Sequence, residues 1–298
     1  MLILLWLLTL PVLSAPLARV KVPLAPVTAE SDAASEQVTQ VLLWDPVEVV
    51  KVEGDWVQVV VPEQYRTERG YPGWMRLQAL ALNPSTSHHG PWVTVVYPQV
   101  ALRSQAGTGA PVLLQVYMST RLPLLAEARR DQRGESWHQV RLPDGQSAWV
   151  RASQVDIERE PGLVRASELV EKARLLERTP YLWGGMSRAG IDCSGLTYVI
   201  YRMNGVTIPR DADQQFEVGE PVEPDQLQPG DLVFFGESGD ITHVGMYAGE
   251  GTIVHASGGS GVVQSPLFVG WYKQYYRGAR RILKDTPGGT RVLTPVSR

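Results

Sequence analysis

Cys193 is the only cysteine in 298 residues. It lies in Ile191-Asp192-Cys193-Ser194-Gly195-Leu196, and Leu196, Val199, Ile200 and Met203 follow at i, i+3, i+4 and i+7. That spacing predicts a helix face. Asp192 is a good N-cap, and Asn204-Gly205 a good C-terminal stop. The thiol is therefore expected in the first helical turn, beside unpaired N–H groups and the positive end of the dipole, where thiolate is favoured. A lone cysteine is most often a small buried apolar residue. The neighbouring aspartate, serine and glycine are not needed to fill a core, and they point instead to a reactive sulfur.

Two of the five histidines, His243 and His255, fall downstream on predicted strands. His243, Gly245 and Tyr247 share one face of the first strand, and Ala248-Gly249-Glu250-Gly251 returns the chain to Ile253-Val254-His255. If Gly245 pairs with His255, the two imidazoles become diagonal neighbours with Cα atoms about 7 Å apart. A slip of one residue would put them on opposite faces. In the paired register His243 would be general base for Cys193 and then acid for a leaving amine. His255 would fix its tautomer and orientation. The Cys193 N–H would help form an oxyanion hole, with the Tyr181 hydroxyl as a second donor. Zinc held by Cys193, His243 and His255 is the rival chemistry. The chain has neither His-Glu-x-x-His nor Cys-x-x-Cys spacing, and His88-His89 has no third ligand nearby.

These groups must be positioned by a chain of 32.9 kDa, enough for two or three domains. The 22 prolines and 28 glycines predict many turns and short strands. A formal net charge of only −3 with no long single-sign block argues against nucleic acid as a partner. Residues 1–15 combine an apolar run, Leu2 to Leu13, with Leu13-Ser14-Ala15, and are expected to be a secretory signal peptide. An uncleaved anchor is the alternative. No cysteine follows the run to carry a lipid. Residues 16–30, rich in Pro and Ala, are expected to be a linker.

Two strand-rich segments follow, 31–83 and 91–158, separated by a boundary around Asn83 to Pro91. Trp56-Val57-Gln58-Val59 is echoed by Trp137-His138-Gln139-Val140, and Gly73-Trp74-Met75-Arg76 by Ala148-Trp149-Val150-Arg151. The intervening loop is longer in the first copy. Two such units suggest two small all-β barrels. Residues 161–283 predict an α+β domain: a helix over Val164 to Arg178, the cysteine helix, and three strands at Asp231–Phe235, His243–Tyr247 and Thr252–Ala256. Residues 284–298 show no periodicity and are expected to be disordered.

The last region resembles the NlpC-type cysteine peptidases of bacterial cell walls. The match rests on Tyr181-x-Trp183-Gly184-Gly185, Asp192-Cys193-Ser194-Gly195-Leu196, Pro209-Arg210-Asp211, Pro229-Gly230-Asp231-Leu232, His243-Val244-Gly245-Met246-Tyr247 and His255-Ala256. Each front segment resembles a bacterial SH3-like domain. The resemblance implies a papain-like fold and a triad of Cys193, His243 and His255. Ser35-Glu36-Gln37-Val38-Thr39-Gln40 and Gly70-Tyr71-Pro72-Gly73-Trp74 are similar to the first SH3-like domain of the γ-D-glutamyl-L-diamino-acid endopeptidases of the dipeptidyl-peptidase VI type. By that likeness Glu36 and Tyr71 would clasp the free amine of an L-Ala-γ-D-Glu-diamino-acid peptide. Asp192, Ser194, Asp211 and Ala212 would supply further contacts. Ala212 stands where relatives often have serine, so only a backbone contact carries over.

The expected activity is hydrolysis of the γ-D-glutamyl–diamino-acid bond in released peptidoglycan stem peptides. No cofactor, no metal, no nucleic acid, no membrane contact after signal removal, a monomer, and a place outside the cell or in its envelope are expected with it. A carboxylate pair binds an ammonium through charge-assisted hydrogen bonds. Glu36 and Asp211, if they face each other, would exclude an acylated amine. The alternatives are an autolysin acting on intact wall and a wall-binding module without turnover.

Overall fold

A computed structural model of the chain describes residues 17–82, 88–158, 166–286 and 289–292. The expected signal peptide lies outside the described residues. The first unit is a seven-stranded sheet of β1 (Leu17–Val20), β2 (Leu24–Thr28), β3 (Gln37–Leu42), β4 (Pro46–Glu53), β5 (Trp56–Val61), β6 (Tyr71–Arg76) and β7 (Leu80–Ala81). Its order is β3-β2-β6-β5-β4-β1-β7. Period-two burial builds it: Val57, Val59 and Val61 of β5 are buried with Val27, Val41, Val47 and Met75. The expectation of a linker over 16–30 is corrected here. Ala18, Val20, Ala25 and Val27 are buried in that core, while Pro26 faces outward opposite Gln40. The prolines read as punctuation, but each tolerated position leaves the alternation intact.

The second unit contains β8 (Trp92–Val95), β9 (Gln99–Arg103), β10 (Val112–Tyr117), β11 (Arg121–Arg130), β12 (Ser136–Arg141), β13 (Ser147–Arg151) and β14 (Val155–Ile157). Its order, β10-β9-β13-β12-β11-β8-β14, is that of the first sheet strand for strand.

The third unit opens on α1 (Ala166–Arg174), shorter than the predicted helix, with Leu169, Val170 and Ala173 buried. A two-stranded pair, β15 (Met186–Ser187) and β16 (Gly190–Ile191), leads into α2 (Cys193–Met203). Then come α3 (Ala212–Gln215), β17 (Glu220–Val222), β18 (Leu232–Phe235), β19 (His243–Gly249), β20 (Thr252–Ser257), β21 (Gly261–Pro266), α4 (Gly270–Gln274) and β22 (Tyr276–Arg281). They form a six-stranded antiparallel sheet, β17-β22-β18-β19-β20-β21. Three of these strands were not predicted. β17 contains Pro221, and β22 reads Tyr-Arg-Gly-Ala-Arg-Arg, so neither shows the apolar alternation that identifies a strand.

Every residue of α2 is buried. It packs on Leu232, Phe234, Val244, Met246, Val254 and Ala256, one face of the sheet, while Val233, Phe235, Ile253 and Ala279 form a second core on the other. Each of the Val, Leu, Ile, Phe and Met side chains among them contributes about 1.5–3 kcal/mol by burial. Val96 and Met118 of the second unit join the α2 core. The expectation of disorder from residue 284 is corrected in part: β23 (Leu283–Thr286) pairs antiparallel with β24 (Gly289–Val292). A hairpin needs only local backbone pairing, which leaves no hydrophobic period to detect. Among the described residues no helix is long and apolar enough to cross a membrane.

Candidate active site

Cys193 is the first residue of α2, and Asp192 caps the helix by accepting from the Gly195 N–H at 2.6 Å. Gly195 is required by space, because a Cβ there would lie 2.2 Å from the Gly185 carbonyl oxygen. The Asp192 carboxylate is pinned from the side by Arg210, with Nη2 to Oδ2 at 2.6 Å and Nη1 to Oδ1 at 3.0 Å. Arg210 Nη1 also donates to Ser194 Oγ at 3.0 Å, and its Nε donates to Thr39 Oγ1 of β3 at 3.1 Å. Arg210 is fully buried, and its ion pair holds its charge firmly. Asp192 and Ser194, expected as substrate contacts, are thus tied into a buried network that fixes the helix start.

Cys193 is 6% exposed, and the backbone N–H groups of Val244 and Ser194 favour its thiolate. Val244 directly follows His243 in β19. Among the described residues no hydrogen bond joins the sulfur to the His243 ring; such bonds commonly tighten only when substrate is bound. Strands β19 and β20 pair with Met246 opposite Val254 and Tyr247 opposite Ile253, the register that sets Gly245 against His255. A Cβ on Gly245 would lie 3.2 Å from the His255 Cβ. The two imidazoles meet accordingly, His243 Nε2 lying 2.9 Å from His255 Nδ1. His243 Nδ1 is the ring nitrogen left outside that contact. The Trp271 and His243 rings pack in a T-shape with centroids 6.1 Å apart.

The electrostatics correct one expectation. Burial, helped by the Asp192 charge, pushes the Cys193 thiol up to about 12, against the pull of the two N–H groups and Arg210. Burial also lowers His243 to about 3, with the charge of His255 adding to it, and burial alone lowers His255 to about 4. At this site desolvation outweighs the helix terminus. Burial thus favours the neutral forms of the thiol and of both imidazoles. The Tyr181 hydroxyl is half-buried and within electrostatic reach of Cys193, and its pKa is raised, so it stays a proton donor.

The first sheet reaches this cleft. Tyr71 donates to Asp211 Oδ2 at 3.1 Å, which joins two residues far apart in sequence. Burial raises the Asp211 carboxyl, opposed by Arg210, Tyr71 and Arg66. Glu36 is exposed and accepts from the Trp183 indole at 2.7 Å, while Gln37 donates to the Trp183 carbonyl at 2.8 Å. No direct contact joins Glu36 to Asp211 among the described residues. The methyl of Ala212 packs in the α2 core, which leaves its backbone as the part able to meet a ligand. Arg66, which sequence reasoning missed, lies 3.2 Å from Asp211 and 2.8 Å from Asp213. Also missed were Ser265 and Tyr272, whose hydroxyls lie 3.0 and 3.1 Å from His255 Nε2. Only the topology brings them there. His88 Nε2 meets the Pro91 carbonyl at 3.0 Å, and no described group of three or more His, Cys, Asp or Glu could hold a metal ion.

A helix-borne thiol beside adjacent strands that carry paired imidazoles can carry out acyl transfer. Comparison with known proteins gives it a family. The NlpC/P60 family pattern matches residues 178–281, and the bacterial SH3 domain pattern matches 98–156. The chain belongs to the NlpC/P60 family of peptidoglycan hydrolases, carrying a bacterial SH3 domain ahead of the peptidase domain. It is 38% identical over 261 residues to the gamma-D-glutamyl-L-lysine dipeptidyl-peptidase of Bacillus cereus, covering 84% of this chain and 76% of that one. The protein of the same name from Bacillus subtilis is 34% identical over 224 residues, 73% of this chain and 71% of that one. The crystal structure of an NlpC/P60 family protein from Bacillus cereus superposes with a TM-score of 0.81 at 32% identity, over 89% of this chain and 99% of that one.

Proposed function

We propose that this protein is a cysteine endopeptidase that cuts the γ-D-glutamyl–diamino-acid bond in peptidoglycan stem peptides bearing a free N-terminal L-Ala. Cys193 Sγ attacks the γ-carbonyl carbon as its proton passes to His243 Nδ1. The Cys193 N–H and the Tyr181 hydroxyl receive the oxyanion. Collapse breaks the C–N bond, and the amine of the diamino acid leaves with the proton from His243. Water, deprotonated by His243, then hydrolyses the thioester and returns the thiol. Support comes chiefly from the hydrogen bond between Tyr71 of the first sheet and Asp211 of the peptidase domain. That contact puts two of the residues expected to hold an ammonium at one point. The relatives named gamma-D-glutamyl-L-lysine dipeptidyl-peptidases support the same bond.

The shared strand order supports assigning the first sheet as a second SH3-like barrel, and helix α2 packed on an antiparallel sheet supports a papain-like peptidase domain. Turnover or recycling of released murein peptides, by a monomer outside the cell or in its envelope, fits such a substrate.

The test is incubation with L-Ala-γ-D-Glu-L-Lys, its diaminopimelate counterpart, their N-acetylated forms and whole sacculi. Release of L-Ala-D-Glu from the free-amine peptides, absent with Cys193→Ala, is the expected result. Equal cleavage of acetylated peptides would refute amine selection, and cleavage of sacculi alone would favour the autolysin.

A further inference from the structure

His255 is held from behind as well as in front. Its Nε2 lies 3.0 Å from Ser265 Oγ in β21 and 3.1 Å from the Tyr272 hydroxyl in α4, while its Nδ1 faces His243 Nε2 at 2.9 Å. His255 itself is 1% exposed. Burial keeps both rings neutral near neutral pH. A neutral imidazole has one N–H and one lone pair, so the pair can be wired in only two ways.

In the first, His255 Nδ1–H donates to His243 Nε2. His243 must then carry its proton on Nδ1, and no lone pair is left to accept the thiol proton. In the second, His243 Nε2–H donates to His255 Nδ1. His255 then carries its proton on Nε2, and His243 keeps a lone pair on Nδ1. Only the second wiring lets His243 accept the thiol proton. It also survives the transfer, since a doubly protonated His243 still donates from Nε2.

The two hydroxyls discriminate between these states. A lone pair on His255 Nε2 can satisfy one donor, and the other hydroxyl would face it with nothing to bond. An N–H there can be shared by two oxygens, each with lone pairs to offer and a rotatable proton of its own. Without them a buried N–H would be left unmatched, which is costly. The geometry points to Ser265 and Tyr272 as a paired lock that holds His255 in its Nε2–H form and thereby keeps His243 a base at Nδ1. They are positioning residues, and they rest on the reading of Cys193 and His243 as nucleophile and base.

The lock is tested with Ser265→Ala, Tyr272→Phe and the double variant, each retaining its carbon framework. One remaining hydroxyl can accept from the Nε2–H or donate to a lone pair there, so each single variant should keep the working tautomer in part and lower kcat on the free-amine tripeptide only about threefold. The double variant should lose about 100-fold or more, well beyond the product of the singles, since a wrong tautomer at such a site costs up to about 10⁴-fold. In ¹⁵N-histidine spectra of the full chain, His255 should show a protonated Nε2 in the parent, both tautomers in each single variant, and a protonated Nδ1 in the double. Double-variant losses equal to that product, or an unchanged His255 tautomer in the double variant, would overturn the proposal. The spectra need no substrate. A parent protein inactive on the tripeptide would therefore count against the proposed function, while the tautomer would still decide the lock.

Discussion

The two seven-stranded sheets share a strand order and differ in what their loops reach. In the first, the β5–β6 connection runs over residues 62–70 and presses on the peptidase domain. Glu63 meets Arg202 at 2.9 Å, the Glu63 carbonyl accepts from Tyr198 at 2.9 Å, and Arg66 meets Asp213. In the second, the corresponding β12–β13 connection is a tight turn over 142–146, closed by Leu142 and Gln146. The second sheet instead lends Val96 and Met118 to the core behind α2 and its Arg141 carbonyl to Trp44 at 2.8 Å. One scaffold therefore supplies polar groups at the cleft in one copy and apolar support behind the helix in the other. Loop length, more than fold, separates the two uses.

If that contrast is right, substitutions on the two sides should fail differently. The largest effect is expected for Arg210→Ala, at the junction of the first sheet and the nucleophile. It strands the buried Asp192 carboxylate, with a loss of about 3–5 kcal/mol in chemical denaturation and no measurable turnover. Acid comes next. His243 and His255 titrate near 3 and 4 when folded and near 6.5 when unfolded. Their contribution is complete above about pH 6.5 and is lost as pH falls toward 4 and 3, because the unfolded chain takes up protons that the folded one refuses. Denaturation midpoints should drop over that window, and a His243→Gln/His255→Gln variant should show a flatter profile. Met118→Ala, behind the helix, should cost about 2–5 kcal/mol while leaving KM as in the parent. Tyr71→Phe should do the reverse: stability nearly unchanged, KM for the free-amine peptide raised about tenfold, and KM for an acetylated peptide unmoved. Smallest of all, Lys51→Ala removes an exposed pair with Glu53 and should shift stability by less than about 0.5 kcal/mol. A second-sheet variant that raised KM selectively would break the contrast.

Much of this was legible in the chain because the period of burial is written in residue types. Leu196, Val199, Ile200 and Met203 announced α2, and the alternation of His243, Gly245 and Tyr247 with a four-residue return set up the register that joins the imidazoles. What stayed hidden depended on approach in space. Arg210 stood inside a recognised motif, yet nothing local says that it turns inward to Asp192. Ser265 and Tyr272 lie on segments with no apolar period, and they reach His255 only because β21 pairs with β20 and α4 folds back beside it. Pro23 and Pro26 misled in the opposite direction, since strand pairing tolerates proline where a hydrogen bond is not called for. The expected thiolate was a local inference from the helix end, and it gave way to burial imposed by the whole domain.

Helix α2 joins two places that share no residue. Its first residue is the sulfur, and its last turn carries Arg202, which reaches Asp45 at 2.5 Å in the first sheet and the Ser119 carbonyl at 3.4 Å in the second. The helix acts as an axle, with its far bearing seated where all three units meet. Anything that loosens that bearing tilts the sulfur at the other end, so the unit furthest from the cleft still has a say in how the reacting atom is aimed.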